Sequence, residues 1–166
     1  MEYQAIGIIH TPYTLTSGAP YQPVELDDQK GRHFYIEIDE KYGPALHRLD
    51  SFTYVYLLYH IDRLKESFEV HVTPPWTGGA MTVGVFASRS PLRPNPIGLS
   101  VVRLLSVEGN RVYTSPLDVF NGTPLLDIKP YLQELDAKHD ANYGWVDELP
   151  DREHLKLHLK GIPHDY

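Results

Sequence analysis

The sequence predicts a mainly β, antiparallel, β-barrel-like single domain with one or two short helices. Several short runs alternate apolar and polar residues with the two-residue period of a strand. Fourteen prolines and twelve glycines provide many turns and argue against a helical bundle. At 166 residues the chain is long enough to bury one core and suits one domain. These observations favour short strands joined by tight turns.

The first part of the chain predicts two strands and one short helix. Residues 3–9 read as the first strand, and residues 13–30 form a long polar loop of the kind that is often functional. Residues 33–38 alternate as a second strand. Asp39 is expected to cap a short helix over residues 40–49.

The middle of the chain predicts a sheet with a hairpin. The run over residues 53–60 is β-branched and aromatic, and both of its faces look covered, which indicates a central strand. Residues 68–72 predict a further strand. The strands over residues 99–107 and 111–115 flank Glu108-Gly109-Asn110, which is typical of a hairpin turn.

The stretch from Gly84 to Gly98 organises the chain. It begins in a buried strand over residues 83–87 and then carries three prolines and two arginines. Proline fixes φ and disfavours helix at the preceding residue, so a stiff, irregular loop is expected. Two guanidinium groups on such a loop, those of Arg89 and Arg93, suit a carboxylate or a phosphate. A structural turn with its arginines paired to nearby acids is an equal alternative.

A second block reads Asn121-Gly122-Thr123-Pro124 and continues as Asp127-Ile128-Lys129-Pro130-Tyr131. Asn-Gly permits positive φ, so the backbone turns tightly and its amides become accessible. Such a turn can hold an adenine edge or a ribose, and a plain hairpin turn is the alternative. Alternation places Asp127 and Lys129 on one face, where they can pair.

Composition narrows the class of protein. The 15 basic and 22 acidic residues give a formal charge of −7, so the chain lacks the strongly basic footprint of many nucleic-acid-binding proteins. With no cysteine, disulfides, iron–sulfur clusters and thiolate zinc sites are excluded, which fits a cytoplasmic location. No apolar run approaches the roughly 18 residues that span a membrane, and no signal peptide is recognised, so no membrane partner is expected.

These motifs carry a resemblance to a known family. Residues 84–98, 121–131 and 6–13 together resemble the signature of the TsaA-like family, and the similarity covers roughly residues 3–131. Its members are S-adenosylmethionine-dependent enzymes that methylate threonylcarbamoyladenosine in tRNA. The resemblance implies a β-barrel-like fold and a homodimer with the cofactor near the subunit interface. The chain has no Gly-x-Gly-x-x-Gly, so the usual nucleotide fingerprint is not expected.

The resemblance also implies a set of cofactor contacts. The candidate cofactor-binding residues are Pro20, Tyr21, Gln22, His60, Phe86, Arg89, Arg93, Asn95, Leu99, Asp118, Asn121, Gly122, Thr123 and Pro124. Tyr21 and Trp76 stand where the family commonly has arginine, and Asn121 stands where it usually has aspartate. For His60, a hydrogen-bonded strand-end histidine is an equal alternative. Trp76 can stack on a base or cap the core, and the core interpretation is slightly favoured.

Methyl transfer from a sulfonium is an in-line displacement, so alignment of the reacting atoms is the main task. The positive sulfur suits backbone carbonyls and an acid such as Asp118 or Asp127. An amide-like acceptor nitrogen is a poor nucleophile, which a base or a polarising contact would assist. Asp127 and Tyr131 are the candidate catalytic residues, and a structural Asp127–Lys129 ion pair is the competing interpretation.

Three hypotheses for the function stay open. A tRNA substrate is preferred. A different acceptor, small molecules included, is supported by the acidic charge, the short chain, and the residues Tyr21 and Trp76. A cofactor-binding domain without catalysis is the third. If tRNA binds, the basic residues must cluster into a positive face, and the candidates are Arg89, Arg93, Arg103 and Lys129.

The domain boundary is placed at residue 135. Residues 1–135 form the TsaA-like cofactor-binding domain, and residues 136–166 form a C-terminal extension packed on the same domain. Within it, residues 143–146 are an aromatic patch, and residues 154–160 alternate as a strand. The histidines of this tail, His154, His158 and His164, make a metal site conceivable, but a solvated polar edge is preferred and no metal is expected.

Overall fold

The computed structural model describes residues 2–15, 17–19, 33–64, 67–149 and 157. The strands are β1 (Gly7–His10), β2 (Tyr35–Ile38), β3 (Tyr54–His60), β4 (His71–Val72), β5 (Val83–Gly84), β6 (Ile97–Glu108), β7 (Arg111–Thr114) and β8 (Thr123–Pro130). One short α-helix, α1, spans Gln133–Asp136. Short 3₁₀ helices span Glu40–Leu46, Leu49–Ser51, Pro75–Thr77, Val85–Ala87 and Gly144–Glu148. None of the helices in these ranges is long and apolar enough to cross a membrane.

Six of these strands close into an antiparallel barrel in the order β1-β2-β7-β6-β3-β8. The ring closes because β8 pairs with β1 on one side and with β3 on the other. Strands β4 and β5 form a separate two-stranded sheet. The mainly β, barrel-like fold predicted from the alternating runs is therefore confirmed.

The barrel interior is filled by apolar side chains. The buried core consists of Ile9, Phe34, Ile36, Ile38, Val55, Leu57, Tyr59, Val102, Leu104, Val112, Leu117, Val119 and Leu125. Small closed barrels have room only for their own side chains. A ligand of this protein must therefore bind at an end of the barrel or on its outside.

The register of the ladders gathers several segments at one end of the barrel. Ile9 of β1 pairs with Thr123 of β8, and His60 of β3 pairs with Ile97 of β6. The last residues of β1 and β3 and the first residues of β6 and β8 therefore lie together. We call this the upper end of the barrel. The two blocks singled out in the sequence enter β6 and β8 here.

Two of the predicted elements are wrong in type. The helix predicted over residues 40–49 is two 3₁₀ helices, and Asp39 makes no side-chain cap hydrogen bond. Pro44 lies inside the first of them and cannot donate a backbone hydrogen bond. The strand predicted over residues 83–87 ends at Gly84, and Val85–Ala87 turn as a 3₁₀ helix.

Other boundaries shift, while the predicted hairpin is confirmed. The strand predicted over residues 68–72 is reduced to the two residues of β4. Strands β6 and β7 meet at Gly109-Asn110, where Gly109 has φ +62°. The long loop is described only in part, since residues 20–32 lie outside the described residues. The strand predicted over residues 154–160 also lies outside them, apart from Leu157.

The interpretation of β3 as covered on both faces is wrong. Its inward residues Val55, Leu57 and Tyr59 are buried in the core. Its opposite side forms, with the outward side of β6, a surface that we call the apolar outer face. This face consists of Tyr54, Tyr56, Leu58, Ile97, Leu99 and Val101. Leu99 is 57% exposed, so nothing within the described chain covers it.

Tyr59 depends on a glycine in the facing strand. Tyr59 pairs with Gly98, and a Cβ built at Gly98 would lie 2.0 Å from Cε2 of the Tyr59 ring. Heavy atoms cannot approach so closely, so the ring would have to move. Gly98 is therefore required for the position of Tyr59 at the upper end.

We expect Gly98→Ala to lower the free energy of unfolding by about 1–3 kcal/mol, the usual cost of overpacking a core. Urea denaturation of the two proteins measures the difference. Gly84→Ala is the matched control, because Gly84 is also a strand residue and its added Cβ would meet nothing within 4 Å. Equal stability of the two variants would contradict the steric argument.

Candidate active site at the upper end of the barrel

The loop between β5 and β6 is held together by Arg93. Its Nη1 donates to the backbone oxygens of Ser88 at 2.8 Å, Val85 at 3.2 Å and Ser90 at 3.4 Å. A guanidinium that points into its own loop satisfies carbonyl groups that have no strand partner. The stiff irregular loop is therefore present, and Arg93 serves as its internal support. A contact of Arg93 with a ligand stays a prediction.

The rest of this loop faces outward. Arg89 is exposed, as is Asn95, whose backbone oxygen accepts a hydrogen bond from the N–H of Ile97 at 2.8 Å. Phe86 is 76% exposed, and its ring centre lies 5.8 Å from Cζ of Arg93. An exposed ring and an exposed guanidinium on a rigid support are available to a ligand with a flat apolar part and an anionic group.

The turn before β8 is fixed to β1. Gly122 has φ +86°, as expected for an Asn-Gly turn. The Asn121 N–H donates to the Tyr13 oxygen at 2.8 Å, and the Gly122 N–H donates to the Ile9 oxygen at 2.8 Å. The Asn121 side-chain oxygen accepts from the Thr11 N–H at 3.3 Å. These amides are therefore engaged by the protein itself.

Two further residues of the turn are also in place. The Thr123 hydroxyl donates to the Phe120 oxygen at 2.8 Å, and Pro124 pairs with Ile8 in the β1–β8 ladder. On its open side the turn is braced by Arg63, which donates to the Asn121 backbone oxygen. A Cβ at Gly122 would lie 2.7 Å from Arg63 Nη2, so the arginine occupies the space that the glycine leaves.

Asp118 is the most unusual polar group at the upper end. Among the described residues its Oδ1 is inaccessible to solvent and has no hydrogen-bond partner. Burial raises the pKa of this carboxyl above its usual range, while its own backbone N–H and the charge of Arg89 act in the opposite direction. A desolvated carboxylate without full compensation is a typical feature of a functional site.

Two tyrosines share the electrostatic environment of Asp118. Burial raises the pKa of Tyr59, and Asp118 adds to that increase, whereas the hydrogen bond with Ser100 and the charge of Arg89 oppose it. The Tyr59 hydroxyl lies 3.1 Å from the Ser100 hydroxyl. Burial and Asp118 also raise the pKa of Tyr13. Asp118 therefore influences both phenols electrostatically, and Arg89 influences Asp118 and Tyr59.

The remaining candidates lie outside this group. His60 and Leu99 are exposed at the edge of the apolar outer face. Asp127 forms an ion pair with Lys129 at 2.7 Å, so the predicted pairing is confirmed, and Tyr131 packs against the Tyr56 ring at 5.5 Å. Any catalytic role of Asp127 and Tyr131 stays a prediction. Pro20, Tyr21 and Gln22 lie outside the described residues.

The four cations named as candidates for a positive face are spread along the barrel, and a positive face that binds tRNA stays a prediction. Arg89 and Arg93 lie in the loop at the upper end, but Arg103 follows Gly98 along β6 at a distance of about 17 Å, at about 3.3 Å per residue. Arg103 donates to the Tyr54 hydroxyl at 2.9 Å, and Lys129 is paired with Asp127. The cations therefore form two separate groups.

Sequence reasoning missed several residues of this end. Arg63 gave no local signal, because its partner Asn121 is distant in the chain. Tyr59 and Ser100 were counted only as members of alternating strands. A usable signal existed for Tyr59, since alternation directs it inward and a buried tyrosine hydroxyl needs a polar partner.

A match to a known family model identifies the class of protein. The family model for the tRNA-methyltransferase O N-terminal domain matches residues 8–137. The chain belongs to this family, and the TsaA-like resemblance of its signature blocks is confirmed.

Several named relatives are similar over most of the chain. A probable S-adenosyl-L-methionine-binding protein of Pyrococcus abyssi is 38% identical over 88% of this chain and 76% of its own length. The tRNA (adenine(37)-N6)-methyltransferase of Escherichia coli is 32% identical over 92% of this chain and 66% of its own length. A crystal structure of TrmO superposes with a TM-score of 0.69 at 34% identity, over 87% of this chain but only 63% of that one.

We expect Asp118→Asn to raise the free energy of unfolding at pH 7. The raised pKa means that folded Asp118 binds its proton more tightly than unfolded Asp118, so the folded state loses stability as pH rises from about 3.8 through the raised pKa. Asparagine cannot ionise and avoids this loss. The gain of the variant should therefore shrink as pH falls towards 3.8, which urea unfolding at several pH values measures.

Asp127→Asn is the control for this test, because Asp127 is exposed and already paired with Lys129. It should show no gain in stability at pH 7. If Asp118→Asn is instead less stable at pH 7 and matches the parent protein in acid, then Arg89 outweighs burial and Asp118 is a structural ion-pair partner.

Proposed function

We propose that this protein transfers a methyl group from S-adenosylmethionine to N6 of the adenosine next to a tRNA anticodon. The substrate nucleoside is threonylcarbamoyladenosine. One observation carries the proposal. The loop between β5 and β6, which we call the Arg89 loop, lies at the same end of the barrel as the Asn121–Pro124 turn and Asp118. It is supported by family membership and by the E. coli relative named as a tRNA (adenine(37)-N6)-methyltransferase. We propose the cytoplasm as its location.

The residues at the upper end fit the cofactor chemically. S-adenosylmethionine, when bound, supplies an electrophilic methyl group on a positively charged sulfur. Its amino-acid part has an ammonium and a carboxylate. The Asp118 carboxyl, whose Oδ1 has no hydrogen-bond partner among the described residues, suits the positive groups, and the exposed Arg89 guanidinium suits the carboxylate. The flat, exposed ring of Phe86 suits an adenine.

The protein's main contribution is positioning. Arg93 and the β1 contacts of the Asn121–Gly122 turn keep the two binding segments rigid before any ligand arrives. Preorganised groups lower the cost of aligning the acceptor nitrogen with the methyl carbon. Asp118 adds a desolvated carboxylate that can accept a hydrogen bond or a proton from an amide-like acceptor nitrogen.

Asp127 is a second candidate for that role. Its carboxylate is half-exposed on the barrel exterior and already engaged by Lys129, so an acceptor nitrogen would have to compete with that ion pair. We therefore place Asp118 ahead of Asp127 as the group that assists the acceptor. Tyr131, against Tyr56 on the same exterior, is proposed as a lining residue.

We propose that the working form is a homodimer whose interface includes the apolar outer face. Contiguous exposed apolar surface of this kind is typical of interaction sites. Ile97, Leu99 and Val101 expose 42%, 57% and 48% of their surface on one strand. His60 and Leu99, both predicted cofactor contacts, lie at its upper edge. A second copy seated on this face would enclose a site that a single barrel leaves open.

Methyl transfer to tRNA should depend on the threonylcarbamoyl group. Purified protein is incubated with labelled S-adenosylmethionine and with tRNA that carries or lacks this group, and the nucleosides are separated by mass spectrometry. We expect methylation only of the modified tRNA. Rising salt should reduce it, because binding of tRNA phosphates by the protein's cations releases counterions.

Arg89→Ala is the site variant for this assay, and we expect a loss of about tenfold or more with unchanged melting temperature, as for a charge-assisted hydrogen bond. Lys41→Ala, remote in the first 3₁₀ helix, is the control cation. Turnover of a small acceptor with none of modified tRNA would favour the alternative acceptor. Cofactor binding without turnover of either would favour a non-catalytic domain.

Val101→Asp should dissociate the proposed dimer, because it places a charge in the middle of an apolar interface. Light scattering after gel filtration should give twice the 19.0 kDa chain mass for the parent and a single chain mass for the variant. Val70→Asp is the control, since Val70 is 62% exposed but lies outside the apolar outer face. A monomeric parent protein at tens of micromolar would contradict the proposal.

A further inference from the structure

The two tryptophans of the chain stack on each other beside the Arg89 loop. The rings of Trp76 and Trp145 are 5.5 Å apart between centroids and nearly parallel at 13°. Trp76 follows β4, whereas Trp145 comes from the 3₁₀ helix Gly144–Glu148 near the end of the described chain. Both rings are half-buried, so the pair is packed against the protein and is not an open stacking platform.

Trp145 also makes a directed contact with the loop. Its indole Nε1 donates to the Ala87 backbone oxygen at 2.8 Å, across 58 positions of sequence. Ala87 ends the 3₁₀ helix Val85–Ala87 and lies two residues before Arg89. The indole therefore holds the backbone from which the proposed cofactor-binding guanidinium emerges.

The loop is thus braced from two sides. On its inner side Arg93 donates to the Val85 and Ser88 oxygens, and Ser88 Oγ donates to Val85 at 2.9 Å. On its outer side the indole of Trp145 is the contact, with Trp76 stacked against it. Ala87 lies between Val85 and Ser88 and is not among the carbonyls that Arg93 bonds, so the two braces hold different backbone groups of the loop.

Trp145 lies beyond residues 8–137, the part of the chain that the family model matches. We propose that Trp145, supported by Trp76, is a positioning residue for the Arg89 loop, and that it raises the fraction of molecules whose loop is ready to bind S-adenosylmethionine. This inference rests on the proposed function. The segment after the matched domain thereby contributes to cofactor affinity without contacting the cofactor.

A positioning role has a specific kinetic consequence. If only a fraction of the molecules is competent to bind, the apparent dissociation constant rises as that fraction falls. Saturating cofactor restores the competent state. A variant with a loosened loop should therefore show a raised KM for S-adenosylmethionine with kcat nearly unchanged. A merely structural role would lower the melting temperature and leave KM as it was.

The test is Trp145→Phe, which keeps a stacking ring and removes the N–H donor. Calorimetry at a temperature where the protein is fully folded should show S-adenosylmethionine binding weakened about three- to tenfold, the value of one hydrogen bond. The KM for the cofactor should rise equally. Tyr143→Phe is the matched control, because it removes one polar atom from a 64% exposed ring beside the same helix and should change neither value.

Trp76→Phe is the second variant and keeps the hydrogen bond while reducing the stacked area. We expect a smaller rise in the dissociation constant, about twofold, as for a weakened aromatic contact. If Trp145→Phe does not fold, Trp76→Phe is the variant that tests the positioning role. Unchanged affinity in the folded variants overturns the positioning role alone. Absence of binding by the parent protein overturns the proposed function and the inference together.

Discussion

Closure of the barrel by β8 is the constraint on which the site depends. One strand pairs with β1 at its beginning and with β3 over its length, so the ring cannot close in another register without exposing the core residue Leu125. Because β8 begins at Thr123, the turn before it must lie at the upper end. Pairing of β1 with β8 also places the β1 residues that bond this turn at the upper end. The geometry of the proposed cofactor site is therefore a consequence of strand pairing.

Sequence patterns predicted those parts of the fold that local chemistry determines. Local patterns identified β1, β2, β3, β6 and β7 but not β8, and Gly109 and Gly122 marked tight turns because both have positive φ. The helix over residues 40–49 failed because Pro44 and Gly43 weaken α-helical hydrogen bonding enough for 3₁₀ turns to replace it. Such competition between closely similar helical forms is decided by packing, which a sequence pattern does not contain.

Candidate site residues could be listed from the sequence, but their arrangement could not. Arg89 and Arg93 look alike in the sequence, since both are arginines of one proline-rich loop. The structure separates them: Arg93 bonds three carbonyls of the loop, while Arg89 stays exposed near Asp118. Partners such as Arg63 and Trp145 lie 58 positions from the backbone oxygens they bind. Such contacts form because the fold brings distant segments together, and no local sequence pattern predicts them.

Environment also separates the two carboxyl groups that the sequence offers to the positive sulfur. Asp127 has a lysine 2.7 Å away and is half-exposed to solvent. Asp118 has a buried oxygen without a partner, and its charged form is disfavoured by burial. Such a group reduces the stability of the folded state while ionised. The fold keeps this carboxyl near Arg89 and two tyrosines, where the two signature segments meet. A buried charge without full compensation is expected of a group that a positive ligand would neutralise.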